Sequence, residues 1–142
     1  MSSIYLHIPF CKKRCTYCNF FSTTLLEKQE EYVNALLKEI ELRKDYITNP
    51  TTIYLGGGTP SLLNHRLIPL LNAIYENFKV LNNAEITLEL NPADNVLEIL
   101  QNAKSAGINR ISIGAQSGSD SELLTLGRRH TVADTENAVK LA

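Results

Sequence analysis

Apolar and polar positions along the chain alternate between two periods, and the switches between them mark its elements. Ile4, Leu6 and Ile8 interleave with Tyr5 and His7, the period-two signature of a strand with one buried face. Tyr32, Val33, Leu36, Leu37 and Ile40 then recur at helical spacing. The unit repeats: residues 52–55 read as a second strand running into Gly56-Gly57-Gly58, and Leu63, Leu67, Leu70, Leu71, Ile74 and Phe78 mark a second amphipathic helix. A third strand is predicted at 85–90, ending at Asn91-Pro92. Asp94 stands where it would cap a helix through Val96, Leu97, Leu100 and Ala103, which stops at Gly107. A fourth strand follows at 110–113, then a polar loop, a short helix near 121–126 and another from about 132.

Strand and helix in strict alternation predict an α/β fold with a parallel sheet and crossover helices. The regular repeat, without a dinucleotide-binding fingerprint, leans toward a partial TIM-like (β/α) barrel of about four β/α units. Parity adds a second expectation. Ile4, Leu6 and Ile8, then Ile53 and Leu55, then Ile86, Leu88 and Leu90, then Ile111 and Ile113 each share a face that wants helices over it. The opposite face carries Tyr5, His7, Thr52, Tyr54, Thr87, Glu89, Ser112, Gly114 and Gln116. An ordinary closed barrel fills its interior with branched apolar side chains, so a polar inner face implies a wide or open lumen occupied by a ligand.

Length and charge narrow the classes. A chain of 142 residues suits one domain. Its 14 Lys and Arg against 15 Asp and Glu include no basic block, which argues against a nucleic-acid partner. No apolar run approaches the ~18 residues of a membrane span, and the first residues do not resemble a secretory signal, so a cytoplasmic protein is expected.

Three cysteines within eight residues are too closely packed and odd in number for a disulfide framework. Cys11, Cys15 and Cys18 follow the first strand, with Lys12, Lys13 and Arg14 among them. Soft thiolates select zinc or iron–sulfur clusters, and nearby cations favour thiolate. Spacing alone is equally compatible with a four-iron cluster that keeps one iron open and with a structural zinc site completed by His7, and three unrelated thiols are the plainest alternative. Gly56-Gly57-Gly58-Thr59-Pro60 ends the second strand and would let backbone N–H groups approach an anionic or zwitterionic ligand. Glu89 is a carboxylate on the polar face of an apolar strand; it needs a partner, either ligand hydroxyl or ammonium groups or an internal arginine. Gln116 and Arg128 are further hydrogen-bonding candidates, although Arg128-Arg129 also reads as a solvated basic pair. His65 and His130 read as surface or internally satisfied histidines.

The stretch Tyr5-Leu6-His7-Ile8-Pro9-Phe10-Cys11-Lys12-Lys13-Arg14-Cys15-Thr16-Tyr17-Cys18-Asn19-Phe20 resembles the radical SAM family, in the group of oxygen-independent coproporphyrinogen III oxidase and related haem chaperones. The resemblance continues through Tyr54-Leu55-Gly56-Gly57-Gly58-Thr59-Pro60-Ser61, Leu88-Glu89-Leu90-Asn91-Pro92, residues 107–117 and Leu126-Gly127-Arg128-Arg129-His130. It implies a [4Fe-4S] cluster on Cys11, Cys15 and Cys18 whose open iron chelates S-adenosylmethionine (SAM). It further implies SAM contacts from Tyr5, Tyr17, Gly57, Gly58, Thr59, Glu89, Gln116 and Arg128. In family chemistry one electron from the cluster cleaves SAM to methionine and a 5′-deoxyadenosyl radical.

Phe20 stands where the oxidase carries a further cysteine, and Asn19-Phe20-Phe21-Ser22 is similar to the chaperone branch. The resemblance therefore implies delivery of haem to a respiratory protein rather than porphyrinogen oxidation. The partners it implies are SAM, haem or a porphyrin, an electron donor and a haem-accepting protein, with membrane contact only through that acceptor. Gly118 replaces a family aromatic residue, which would loosen the wall of the SAM pocket. Family members are far longer, so residues 1–142 are expected to form the amino-terminal part of the core domain, without the later strands and the carboxyl-terminal, haem-binding domain.

Overall fold

The structure, a computed structural model, describes residues 2–142. Strand β1 (Ser2–Ile8) leads through the cysteine-bearing segment and a short 3-10 turn (Leu26–Lys28) into helix α1 (Gln29–Leu42). Strand β2 (Pro50–Gly57) is followed by a 3-10 segment (Pro60–Arg66) and helix α2 (Leu67–Asn77). Strand β3 (Glu85–Leu90), helix α3 (Val96–Ser105) and strand β4 (Arg110–Ile113) come next, then α4 (Asp120–Thr125) and α5 (Val132–Leu141).

The sheet order is β1-β2-β3-β4 with every pair parallel. Consecutive strands that neighbour one another, joined by right-handed crossovers, place their helices on a single face and curl the sheet toward the other. The result is the partial (β/α) barrel that the alternation predicts. Leu6, Ile8, Ile53, Leu55, Ile86, Leu88 and Leu90 form the buried face, and they pack with Leu63, Leu67, Leu70, Leu71 and Ile74 into one core. Register aligns them in layers, with Leu6 beside Leu55, Leu55 beside Leu88 and Leu88 beside Ile111. Each such fully buried aliphatic side chain contributes about 1.5–3 kcal/mol, so this face holds the sheet together and leaves the other free for chemistry. Among the described residues, no helix is long and apolar enough to cross a membrane.

Four departures from the sequence reading have physical causes. The first two strands start earlier than their apolar alternation, because Ser2 and Ser3 pair with Pro50 and Thr52 through a bulge without contributing to the core. The second helix is broken: Asn64 has φ 50° and ψ −120°, which splits the apolar run into a 3-10 segment and α2. That turn lets the Asn64 side-chain amide donate to Glu98 and its carbonyl accept from Asn102, tying it to α3. In α3 the core face is Val96, Ile99 and Ala103, while Leu97 points outward at 53 % exposure. Asp94 does not cap α3; Asn95 holds the cap position, and the Asp94 carboxylate is used elsewhere. A true capping box begins α5, where Thr131 Oγ1 accepts from the Asp134 N–H and Asp134 accepts from the Thr131 N–H.

Candidate functional site: a thiol-lined cavity at the carboxyl edge of the sheet

Beyond Ile8, the chain leaves β1 through Pro9 and Phe10 into the cysteine loop. The loop is closed at its base: Thr23 N–H donates to Pro9 O at 2.7 Å and Cys11 N–H to Thr23 O at 2.9 Å. Strand β2 runs alongside this base, with Gly58 N–H donating to Ile8 O and Thr59 N–H to Phe10 O. At Gly58 an added Cβ would lie 2.7 Å from Phe10 O, against backbone that has no freedom to retreat. Gly57 has φ +119°, a region closed to ordinary side chains, and its N–H donates to Glu89 Oε2 at 3.2 Å. The N–H groups of residues 57–59 are therefore all engaged within the protein, which corrects the expectation that they reach out to a ligand. These glycines let two loops pass at contact distance, and what they leave to a ligand is a surface without Cβ atoms.

The three thiols are free and half-buried, and they line one cavity of about 350 Å³ at the carboxyl ends of the strands, within the range of small-molecule sites. Tyr17, Gly57, Gly58, Thr59, Glu89, Gln116 and Arg128 line it as well. Of the residues anticipated at the site only Tyr5 stands outside. It is 58 % exposed, stacks on Tyr54 with ring centroids 6.2 Å apart and donates its hydroxyl proton to His7 Nδ1. Since the Phe21 carbonyl can only accept, neutral His7 donates from Nε2 at 3.0 Å and accepts a hydrogen bond from the Tyr5 hydroxyl at Nδ1. Both ring nitrogens are thus engaged away from the thiols, which argues against His7 completing a zinc site.

Arg128 is the busiest side chain of the cavity. Its guanidinium donates to Gly114 O at 2.9 Å, to the Tyr17 hydroxyl at 3.4 Å and to Cys15 Sγ at 3.5 Å, and its Nε is buried without a partner. It forms no ion pair with a carboxylate among the described residues, so its charge is directed at the thiols and the cavity. Across from it Glu89 accepts from Tyr54 at 2.7 Å and from Gly57 N–H, not from an arginine. The hydrogen bond to Glu89, followed by burial, raises the Tyr54 pKa above its ordinary value; burial does the same for Tyr5 and, against the opposing pull of Arg128, for Tyr17. All three remain neutral donors at physiological pH. Thr59 Oγ1 lies 3.7 Å from Cys11 Sγ, placing a hydroxyl donor beside one thiol.

Two further observations concern the wall formed after β4. Gln116 has φ 67°, rare outside glycine, so the turn that carries it is strained by its surroundings. His130 is buried rather than at the surface; its Nε2 donates to Ala115 O at 2.9 Å while Nδ1 has no partner, a half-satisfied histidine bracing the Gln116 turn. Arg129 is not a solvated neighbour of Arg128 but pairs with Asp94. Sequence reasoning placed Lys13 and Arg14 beside the thiols but missed Ser22 and Asn91 as lining residues. Only their nearness to strand ends and to the cysteines could have signalled them.

The donor set discriminates between metal centres. A mononuclear zinc site needs its thiolates within about 3.8 Å of one another, from a Zn–S distance of ~2.3 Å in a tetrahedron. Among the described residues no three His, Cys, Asp or Glu side chains converge on one such point. Three thiols spread around a cavity, with a guanidinium on one and a hydroxyl beside another, suit a larger group bound at its corners.

A parallel partial barrel with three thiols in the loop after β1 and a cavity at the strand ends defines an α/β domain whose candidate site lies at the carboxyl edge of its sheet. Comparison with known proteins names the family. The chain matches the Radical SAM superfamily over residues 5–142, and it belongs to that family. It is 39 % identical over 145 residues to the heme chaperone HemW of Escherichia coli, covering 99 % of this chain and 38 % of that protein. HemW of Haemophilus influenzae is 40 % identical, with 99 % and 39 % covered. The mouse mitochondrial radical S-adenosyl methionine domain-containing protein 1 is 38 % identical, with 94 % and 31 % covered. Among solved structures, coproporphyrinogen III oxidase (HemN) from Escherichia coli, described as a radical SAM enzyme, superposes with a TM-score of 0.90 at 30 % identity, over 99 % of this chain and 33 % of that one. The chain thus spans between 31 % and 39 % of the length of these relatives.

Proposed function

We propose that residues 1–142 are the amino-terminal part of a radical SAM core that binds a [4Fe-4S] cluster through Cys11, Cys15 and Cys18, and that the protein serves as a cytoplasmic haem chaperone supplying a respiratory protein. The observation that carries the reading is the meeting of the three thiols with Gly57, Gly58, Thr59, Glu89, Gln116 and Arg128 around one cavity. When bound, the cluster supplies an iron without a protein ligand, open to the amino and carboxylate groups of SAM, and a source of one electron. Arg128 holds positive charge against Cys15 and can attract a carboxylate. Glu89 is oriented by Tyr54 and Gly57 and keeps acceptor capacity for hydroxyl or ammonium groups. The surface without Cβ atoms at Gly57 and Gly58 admits a ligand close to the backbone, and Gln116 lines the wall after β4.

The chaperone reading within the family rests on the HemW relatives and on Phe20, which lines the cavity at 69 % exposure where an oxidase would place a further thiol. A radical enzyme of porphyrin synthesis is the second reading, favoured by the structural likeness to coproporphyrinogen III oxidase. Anaerobic protein with SAM and a one-electron reductant, offered haem and an acceptor protein in one arm and coproporphyrinogen III in the other, separates them. Stoichiometric haem binding and transfer to an acceptor without porphyrinogen turnover is expected. Catalytic formation of 5′-deoxyadenosine coupled to coproporphyrinogen consumption, with no haem bound, would contradict the chaperone reading.

A further inference from the structure

Asp94 is neither a helix cap nor a member of the cavity wall, yet its side chain is only 1 % exposed. A buried carboxylate is costly unless cations or donors compensate it. Both of its cations come from other loops, and both meet the same oxygen: Lys12 Nζ at 2.9 Å and Arg129 at 3.0 Å from Oδ1. Lys12 follows Cys11 directly, and Arg129 follows Arg128, the residue that touches Cys15 and Tyr17. Oδ2 is buried with no partner at all, so no other group within the loop after β3 satisfies this charge. The turn that presents Asp94 is itself fixed, by Asp94 N–H donating to Asn91 O and Ala93 N–H to Asn91 Oδ1.

We propose that Asp94 is a positioning residue that couples the cysteine loop to the Arg128 loop. Displacing either loop removes one cation from a desolvated carboxylate, so order in one loop favours order in the other, and the coupling is reciprocal. Resting on the cluster-and-SAM reading of the cavity, the inference has a consequence for binding: occupation of the thiols and of the Arg128 side should reinforce one another through Asp94. The coupling itself belongs to the chain and exists without any metal.

Amide hydrogen exchange on the metal-free protein therefore tests it independently of that reading. In Asp94→Asn, exchange should speed up about tenfold, within the usual range of coupling strengths, across both 11–18 and 126–130, while α1 and α2 keep their protection. Lys12→Gln should produce the same loosening in the remote 126–130 loop, and because the Lys12 side chain lies outside the core and is 43 % exposed this variant retains the fold. In reconstituted protein, iron loss to a chelator should be slowed by SAM in the wild type and not in Asp94→Asn. Unchanged exchange at 126–130 in both variants, or loosening confined to the mutated loop, would overturn the proposal. Failure of SAM to bind the wild type would overturn the reading of the cavity and leave the exchange result standing.

Discussion

The two faces of the sheet obey different rules. Behind it, Ile8, Leu55, Leu63, Leu70 and Leu88 have no exposure at all, and the apolar alternation of the strands agrees with the packing. At its carboxyl edge the rules are broken together. The buried side-chain atoms without partners among the described residues belong to Ser61, Asp94, Arg128 and His130, all in segments that follow strand ends or close the cavity. Gln116, with its left-handed backbone, and the unpaired thiols lie there too. Such conflict with local preference is expected where a protein holds groups ready for a ligand, and the apolar face supplies the stability that tolerates it.

The contrast is sharpened most by changing one thiol. Cys15→Ser should abolish cluster assembly while leaving the midpoint of chemical denaturation of the metal-free protein within error, since the side chain supports no part of the core; iron content and urea unfolding check both halves. The mirror experiment is Leu88→Ala, which removes a fully buried side chain. It should cost about 2–5 kcal/mol in urea unfolding. Gly58→Ala blurs the line between the faces. It lies at the cavity, yet its Cβ meets the Phe10 carbonyl at 2.7 Å, so about 1–3 kcal/mol of overpacking should appear even without metal.

The smallest effect belongs to the α5 capping box, which begins one residue after His130. Thr131→Ala should lower stability by about 1 kcal/mol. Bonds from the Thr131 N–H and hydroxyl hold the Asp134 carboxyl below its ordinary pKa of 3.8. A depressed carboxyl stabilises the fold above its unfolded pKa and stops doing so as pH falls through its folded value. The difference between wild type and variant should accordingly narrow below about pH 4; a difference that stays constant down to pH 2 would show that the carboxylate plays no part.

The apolar face was legible because it is written in local periodicity: β3 and β4 begin and end where their alternation does. Ser2-Ser3 and Pro50-Thr51 were not, since they enter the ladder through backbone bonds that carry no hydrophobic signature. The break at Asn64 was hidden for a similar reason. Its apolar neighbours keep helical spacing across a turn fixed by side-chain bonds to Glu98 and Asn102, far along the chain. The membership of the cavity was readable from strand-end position and family likeness, but the internal use of its N–H groups was not. Asp94 shows the limit most plainly. Its position before a helix favours a cap, and only the spatial arrival of Lys12 and Arg129 turns it into a clamp.

Counting iron and acid-labile sulfide in anaerobically reconstituted protein tests the central claim most directly. About four of each per chain, with broad absorbance near ~400 nm that is lost in Cys15→Ser, is the expected result. A single tightly held zinc ion, without sulfide and retained in that variant, would contradict it.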